Sequence, residues 1–230
     1  MKKNYEMDMC SGPILGKLLT FTIPLIFSGI LQLLFNAADV IVVGRFAGSQ
    51  SLAAVGSTTA LINLMINIFI GLSVGVNVIV ARYYGAKREK DVQDTIHTAM
   101  ALSIVSGLFL IIVGQLLSRP MLELMGTPDD VIDKSTIYMR IIFIGMPANM
   151  IYNFGSAILR AVGDTKRPLY FLTAAGVINV VLNLFFVIMF QMDVAGVALA
   201  TAISQAISAC LVILCLMESE GGLKLHLKAL

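Results

Sequence analysis

Leu33-Leu34-Phe35-Asn36-Ala37-Ala38-Asp39-Val40-Ile41-Val42-Val43 sets one carboxylate, Asp39, inside an apolar run. No other acidic residue lies within any long apolar run of the chain. A lone carboxylate in hydrocarbon is costly, so it takes up a proton, binds a cation or faces a wet cavity. Reading this run as a membrane helix decides the fold class, and the composition agrees. The 230 residues are 58% hydrophobic and 13% charged, with a mean hydropathy of +0.89. That is more apolar surface than a soluble domain of this size can cover, which makes the chain an integral membrane protein in a lipid bilayer. The net charge of +2 is too small to argue for a nucleic-acid partner.

Working outward, six runs reach the roughly 20 predominantly apolar residues that a bilayer crossing needs. They cover approximately 18–43, 52–81, 95–117, 137–159, 169–190 and 194–217. The predicted fold is all-α, a polytopic bundle of six transmembrane helices forming one unit over 1–230, with no linker or low-complexity tract dividing it. Pro24 removes a backbone donor near the start of the first span and predicts a kink there. Thr127-Pro128 reads as a helix start, with Thr127 as N-cap and Pro128 at the first helical position. Gly71 and Gly75, spaced G-x-x-x-G, predict a close helix crossing.

Basic residues collect on one side. Lys2, Lys3 and Lys17 precede the first span; Arg82, Lys87, Arg88 and Lys90 follow the second; Arg160, Lys166 and Arg167 follow the fourth; Lys224 and Lys228 follow the sixth. The other side carries Arg45, Arg119 and Lys134, with Arg140 just inside the fourth span. The positive-inside rule then places both termini in the cytoplasm and the chain, multi-pass, in the cytoplasmic (inner) membrane. The first run is long enough to be a retained span, so no removable signal peptide is read. Cys10, Cys210 and Cys215 match no zinc spacing and are read as inert. No nucleophile–base pair, phosphate-binding glycine loop or HExxH motif is present, so no enzymatic activity and no cofactor are expected.

Depth along a helix follows from its rise of about 1.5 Å per residue. On that scale Asp39, Asn183 and Thr201, from the first, fifth and sixth spans, fall at one level in the outer half of the membrane, with Asn179 one turn deeper. Asn179 and Asn183, four apart, share a face. A carboxylate, amide carbonyls and a hydroxyl are hard oxygen donors that could surround Na+ or solvate a carboxylate that loads and releases H+. The same Asn and Thr residues could equally serve as hydrogen-bonding glue between helices. Ser28, Gln32, Asn36 and Asp39 form a polar line on the first helix, a pattern that faces a bundle interior or a water-filled cavity. Asn63 and Asn67 in the second span and Asn149 and Asn153 in the fourth repeat the theme, with Met146 and Met150 nearby.

With these residues in view, the chain resembles the amino-terminal half of the multidrug and toxic compound extrusion (MATE) transporters. The resemblance rests on Pro24, on Asn36-Ala37-Ala38-Asp39-Val40-Ile41-Val42-Val43-Gly44 with Gly48 beyond, on Arg160-Ala161-Val162-Gly163-Asp164-Thr165-Lys166-Arg167-Pro168 and on Ala195-Gly196-Val197-Ala198-Leu199-Ala200-Thr201. It implies one lobe of a two-lobe fold around a central cavity, working by alternating access. It implies export of drugs or other small amphipathic or cationic substrates in exchange for Na+ or H+. It gives Asp39 the role of coupling carboxylate, Asp39, Asn179, Asn183 and Thr201 that of a cation site, and Gln32 a place beside the cavity. Asn36, Asn63, Asn67, Met146, Asn149, Met150 and Asn153 are further candidates for the cavity wall. Some relatives have Asp where this chain has Asn183, and the loss of that carboxylate weakens the case for Na+ and leaves H+ at least as plausible a coupling ion. Such transporters have about twelve spans, so a carboxy-terminal lobe or a second copy of the chain is expected as partner. The alternatives are a flippase for lipid-linked precursors, disfavoured by the lack of cationic residues well inside the spans, and an inactive half-protein or membrane scaffold.

Overall fold

A computed structural model describes residues 14–219 and 221–226. Lys2, Lys3, Cys10 and Lys228 lie outside these. Among the described residues the chain forms α1 (Ile14–Val42), α2 (Ser49–Gly85), α3 (Glu89–Leu124), α4 (Asp129–Ile144), α5 (Met146–Ala161), α6 (Lys166–Leu184) and α7 (Asp193–Glu218). Two short π turns, Val43–Ala47 and Phe185–Met189, extend α1 and α6 at the same end of the bundle, and a 3-10 turn, Gly221–Leu223, follows α7.

Five of these helical stretches are long and apolar enough to cross a membrane alone. The sixth crossing is the pair α4 and α5, bent by 48° at Gly145. The six spans read from hydropathy are therefore present, and the fourth is broken. The break follows from Pro147 in the first turn of α5, which has no N–H to continue the ladder from α4. Gly145 also sits so close to Ala202 of α7 that a Cβ there would lie 3.0 Å from that residue's Cβ.

Helix ends follow local chemistry. α3 stops at Gly126 (φ 71°), whose left-handed backbone lets the Thr127 N–H reach the Leu122 carbonyl. α5 stops the same way at Gly163 (φ 84°), with the Asp164 N–H donating to the Leu159 carbonyl. The buried Asp164 carboxylate then accepts the Lys166 and Arg167 N–H groups at the head of α6 and pairs with the Arg167 guanidinium. Arg167 is thus tied to the loop it follows as well as adding to the basic side. At the start of α4, Pro128 (ψ 145°) holds the N-cap position and no side chain bonds the first turn. The expected Thr127 cap is one residue too early, because Pro128 keeps an extended ψ and the helix begins at Asp129.

The core is centred on α5, which lies against α2, α3 and α7. Phe143, Phe154, Met139, Ile158 and Leu159 are wholly buried there. Small residues allow the close approaches that hold helices together in lipid. Gly107 of α3 meets the Pro147 backbone, Gly114 meets Phe143, and Gly155 of α5 meets Val212 of α7. Gly71 and Gly75 do not serve this purpose. Both are exposed, and no described atom would lie within 4 Å of a Cβ at either, so the expected crossing is not made among the described residues. The face that this spacing marks points away from the lobe's own core.

α1 is peripheral. Its principal helical neighbour is α6, where the Phe35 ring lies over Gly176. The helix runs unbroken through Pro24, which is buried.

Candidate functional site

Three helices bring together the residues matched by depth. Asp39 is in the last turn of α1, Asn179 and Asn183 share one face of α6, and Thr201 lies two turns into α7. Asn183 Nδ2 donates to Asp39 Oδ1 at 2.5 Å and to Asn179 Oδ1 at 3.1 Å. Asn179 Nδ2 in turn donates to Thr201 Oγ1 at 3.2 Å, with Ser204 Oγ at 3.5 Å. The Thr201 hydroxyl donates to the Val197 carbonyl at 2.9 Å. All four residues of the expected cluster thus lie in one hydrogen-bonded chain running from α1 through α6 to α7. Asn179 and Asn183 are buried, while Asp39 and Thr201 are half-buried.

The amide orientation has a consequence. Two acceptors, Asp39 Oδ1 and Asn179 Oδ1, fix the Asn183 NH2 group, and reversing the amide would set its carbonyl oxygen against the carboxylate. With that orientation Asn183 Oδ1 is buried and meets no donor among the described residues. A buried acceptor without a partner is unfavourable, of order 1–3 kcal/mol. It lies on the side chain that touches the only carboxylate of the span, so the cluster is rich in oxygen donors and short of positive charge.

Two further groups join that sequence reasoning did not single out. Ser204 follows Thr201 by three residues, a spacing that shares its helix face. Tyr138 of α4 is buried and within electrostatic range of Asp39. It sits at a comparable distance from the same end of the bundle, a signal available in the sequence.

The remaining candidates do not join this cluster. Gln32 and Asn36 are exposed on α1, and Asn63 and Asn67 on α2, where Asn67 Nδ2 bonds the Asn63 carbonyl at 2.7 Å. Asn149 and Asn153 are half-buried on α5 and bond each other at 2.9 Å. Met146 and Met150 correct the expectation of a cavity wall: both are wholly buried between α5 and its neighbours and offer no surface to a ligand. Hydropathy could not separate these cases, because an apolar side chain serves a core and a cavity equally.

A sequence model of the family described as MatE matches residues 24–185. The chain belongs to the MatE family. It is 35% identical over 188 residues, 80% of its length, to the probable multidrug resistance protein YoeA of Bacillus subtilis (strain 168), of which that match covers 41%. It is 31% identical over 201 residues, 87% of its length and 45% of the relative, to the probable multidrug resistance protein YpnP of the same organism. Its fold matches a crystal structure of MATE in the bent conformation with a TM-score of 0.85 at 25% identity, covering 92% of this chain and 47% of that one. The chain therefore spans less than half the length of these MatE relatives. With six apolar crossings and this family, it is a multi-pass membrane protein.

Proposed function

We propose that the chain is the cation-coupling lobe of a membrane exporter that exchanges Na+ for small amphipathic or cationic compounds. The observation that carries this reading is Asn183 Oδ1, a buried acceptor that meets no donor among the described residues, held on the side chain that bonds Asp39. A Na+ ion would take that oxygen and the carboxylate as ligands, and Asn179 Oδ1, Thr201 Oγ1 and Ser204 Oγ are further oxygens of the same hydrogen-bonded chain. A proton on Asp39 would also neutralise the charge, but it needs one oxygen where this cluster offers several, which is the donor chemistry of Na+. Relatives bearing the name multidrug resistance protein support the cargo class.

Gly163, where α5 gives way to α6, marks the end of the bundle that carries Lys17, Arg82, Lys87, Arg88, Arg160 and Lys166, so this end faces the cytoplasm and Asp39 lies toward the outside. The exposed amides Gln32, Asn36, Asn63 and Asn67 would line a cavity completed by a carboxy-terminal lobe or a second copy of the chain. Binding of Na+ at Asp39 removes a charge from the most exposed helix of the lobe and changes the hydration of its polar line, which biases α1 between two positions and so the side to which the cavity opens.

The test is flux in proteoliposomes that hold the chain together with the lobe or second copy that completes the cavity. An inward Na+ gradient is expected to drive efflux of an amphipathic cationic dye, and Asp39→Asn to abolish it while membrane insertion is retained. Dye export by Asp39→Asn equal to that of the unaltered protein contradicts the reading.

A further inference from the structure

The same three helices, followed further toward the same end of the bundle, carry the lining of a cleft. Phe46 and Ala47 from the π turn after α1, Val187 and Ile188 from the π turn after α6, and Gln191 and Asp193 at the head of α7 line a space of about 400 Å³. From the numbering, Val187 is one turn past Asn183, Phe46 two turns past Asp39, and Asp193 eight residues before Thr201. The cleft therefore begins roughly 6 Å from the level of the cluster and ends at Asp193, roughly 12 Å away.

Its walls are apolar except at Gln191 and Asp193. Asp193 is the only charged side chain in the lining, and it is neutralised: its Oδ2 lies 2.6 Å from Lys134 Nζ of α4, which also donates to Ser51 Oγ of α2 at 3.0 Å. Asp193 Oδ1 is buried and meets no donor among the described residues. Asp193 and Gln191 both hold left-handed backbones, φ 55° and 50°, a conformation L residues adopt at a cost. The tight turn into α7 thus carries strain and delivers a carboxylate to the cleft mouth, where one lysine from another helix cancels it.

We propose that this cleft is the path by which the coupling cation reaches Asp39, and that the Lys134–Asp193 pair is its electrostatic gate. This rests on the reading of Asp39 as a cation site. Neither residue touches the ion at that site; they act as a positioning pair, through charge. An unneutralised Asp193 would draw cations to the mouth and favour occupancy of the cluster. An unneutralised Lys134 would repel them. Paired, they leave the mouth neutral, so that occupancy is set by Asp39 itself.

The experiment is 22Na+ binding to the purified 230-residue chain, followed both as association rate, which reports the path, and at equilibrium, comparing the unaltered protein with Lys134→Met, Asp193→Asn and the double variant. A unit charge at this separation predicts a shift of roughly three- to tenfold in apparent affinity. Binding tightens by that factor in Lys134→Met, weakens by a similar factor in Asp193→Asn, and the double variant loses both shifts. High choline chloride screens the charges and collapses the differences. The same measurements on Lys134→Arg, which keeps the charge, give the affinity of the unaltered protein and remain readable where a neutral variant fails to fold. Two single variants that both weaken binding, or shifts indifferent to choline chloride, overturn the gate and leave a structural clamp, with the cation site intact. An unaltered protein that binds no Na+ overturns the cation site and the gate with it.

Discussion

Of the 29 residues of α1, Pro24 and Val42 alone are buried, whereas α5 buries Met146, Met150 and all of 154–159 within 16 residues. α5 has neighbours on three sides and its polar residues Asn149, Asn153 and Arg160 are all half-buried; α1 leans on α6 and carries a polar line with exposed Gln32 and Asn36 that ends in Asp39. The helix that defines the lobe is thus distinct from the helix that carries its charge. A carboxylate in membrane is unfavourable wherever it sits, and the least packed helix is where gaining or losing a charge disturbs the fewest contacts. One polar contact that ties α1 to α6, Asp39 to Asn183, is also one a bound cation would alter.

Substitutions can break or sharpen this contrast. Gly107→Val should have the largest effect, because its Cβ would lie 2.3 Å from the Pro147 Cα, a backbone atom that cannot turn aside. A loss of about 3 kcal/mol or more is expected, read as a fall in the thermal midpoint in detergent, or as failure to accumulate folded protein. Gly176→Val should cost less, about 1–2 kcal/mol, since the atoms it meets belong to the Phe35 ring, which can swing away. It should instead loosen α1 and weaken 22Na+ binding several-fold. Equal losses of stability from the two would mean that α1 is as much part of the core as α5. Gly71→Ala should do least, a change within about 0.5 kcal/mol and on the stabilising side, because alanine favours the helix and no described atom opposes its Cβ. A drop of more than about 1 kcal/mol would show that another chain covers that face in detergent.

The contrast also explains what the sequence could and could not convey. Hydropathy and helix rise report position along the membrane normal, so the six spans and the shared level of Asp39, Asn183 and Thr201 were legible. Rotation about a helix axis depends on which neighbours arrive, and there the reading failed. Gly71 and Gly75 have the spacing of a crossing but face outward, and Met146 and Met150 could suit a cavity but lie in the core. The π turns Val43–Ala47 and Phe185–Met189 left no mark in residue type, although they form two walls of the cleft beyond the cluster. The break at Gly145 was readable in principle, since Pro147 interrupts the fourth run, but its hydropathy is continuous across the bend.

The central claim is that Asp39 and the Asn183 carbonyl together hold a cation, and the most direct measurement is the 22Na+ binding isotherm of the purified chain beside that of Asp39→Asn. The account predicts saturable binding of one ion per chain, weakened about tenfold or more when the carboxylate becomes an amide. Saturable binding of equal affinity in Asp39→Asn would contradict it.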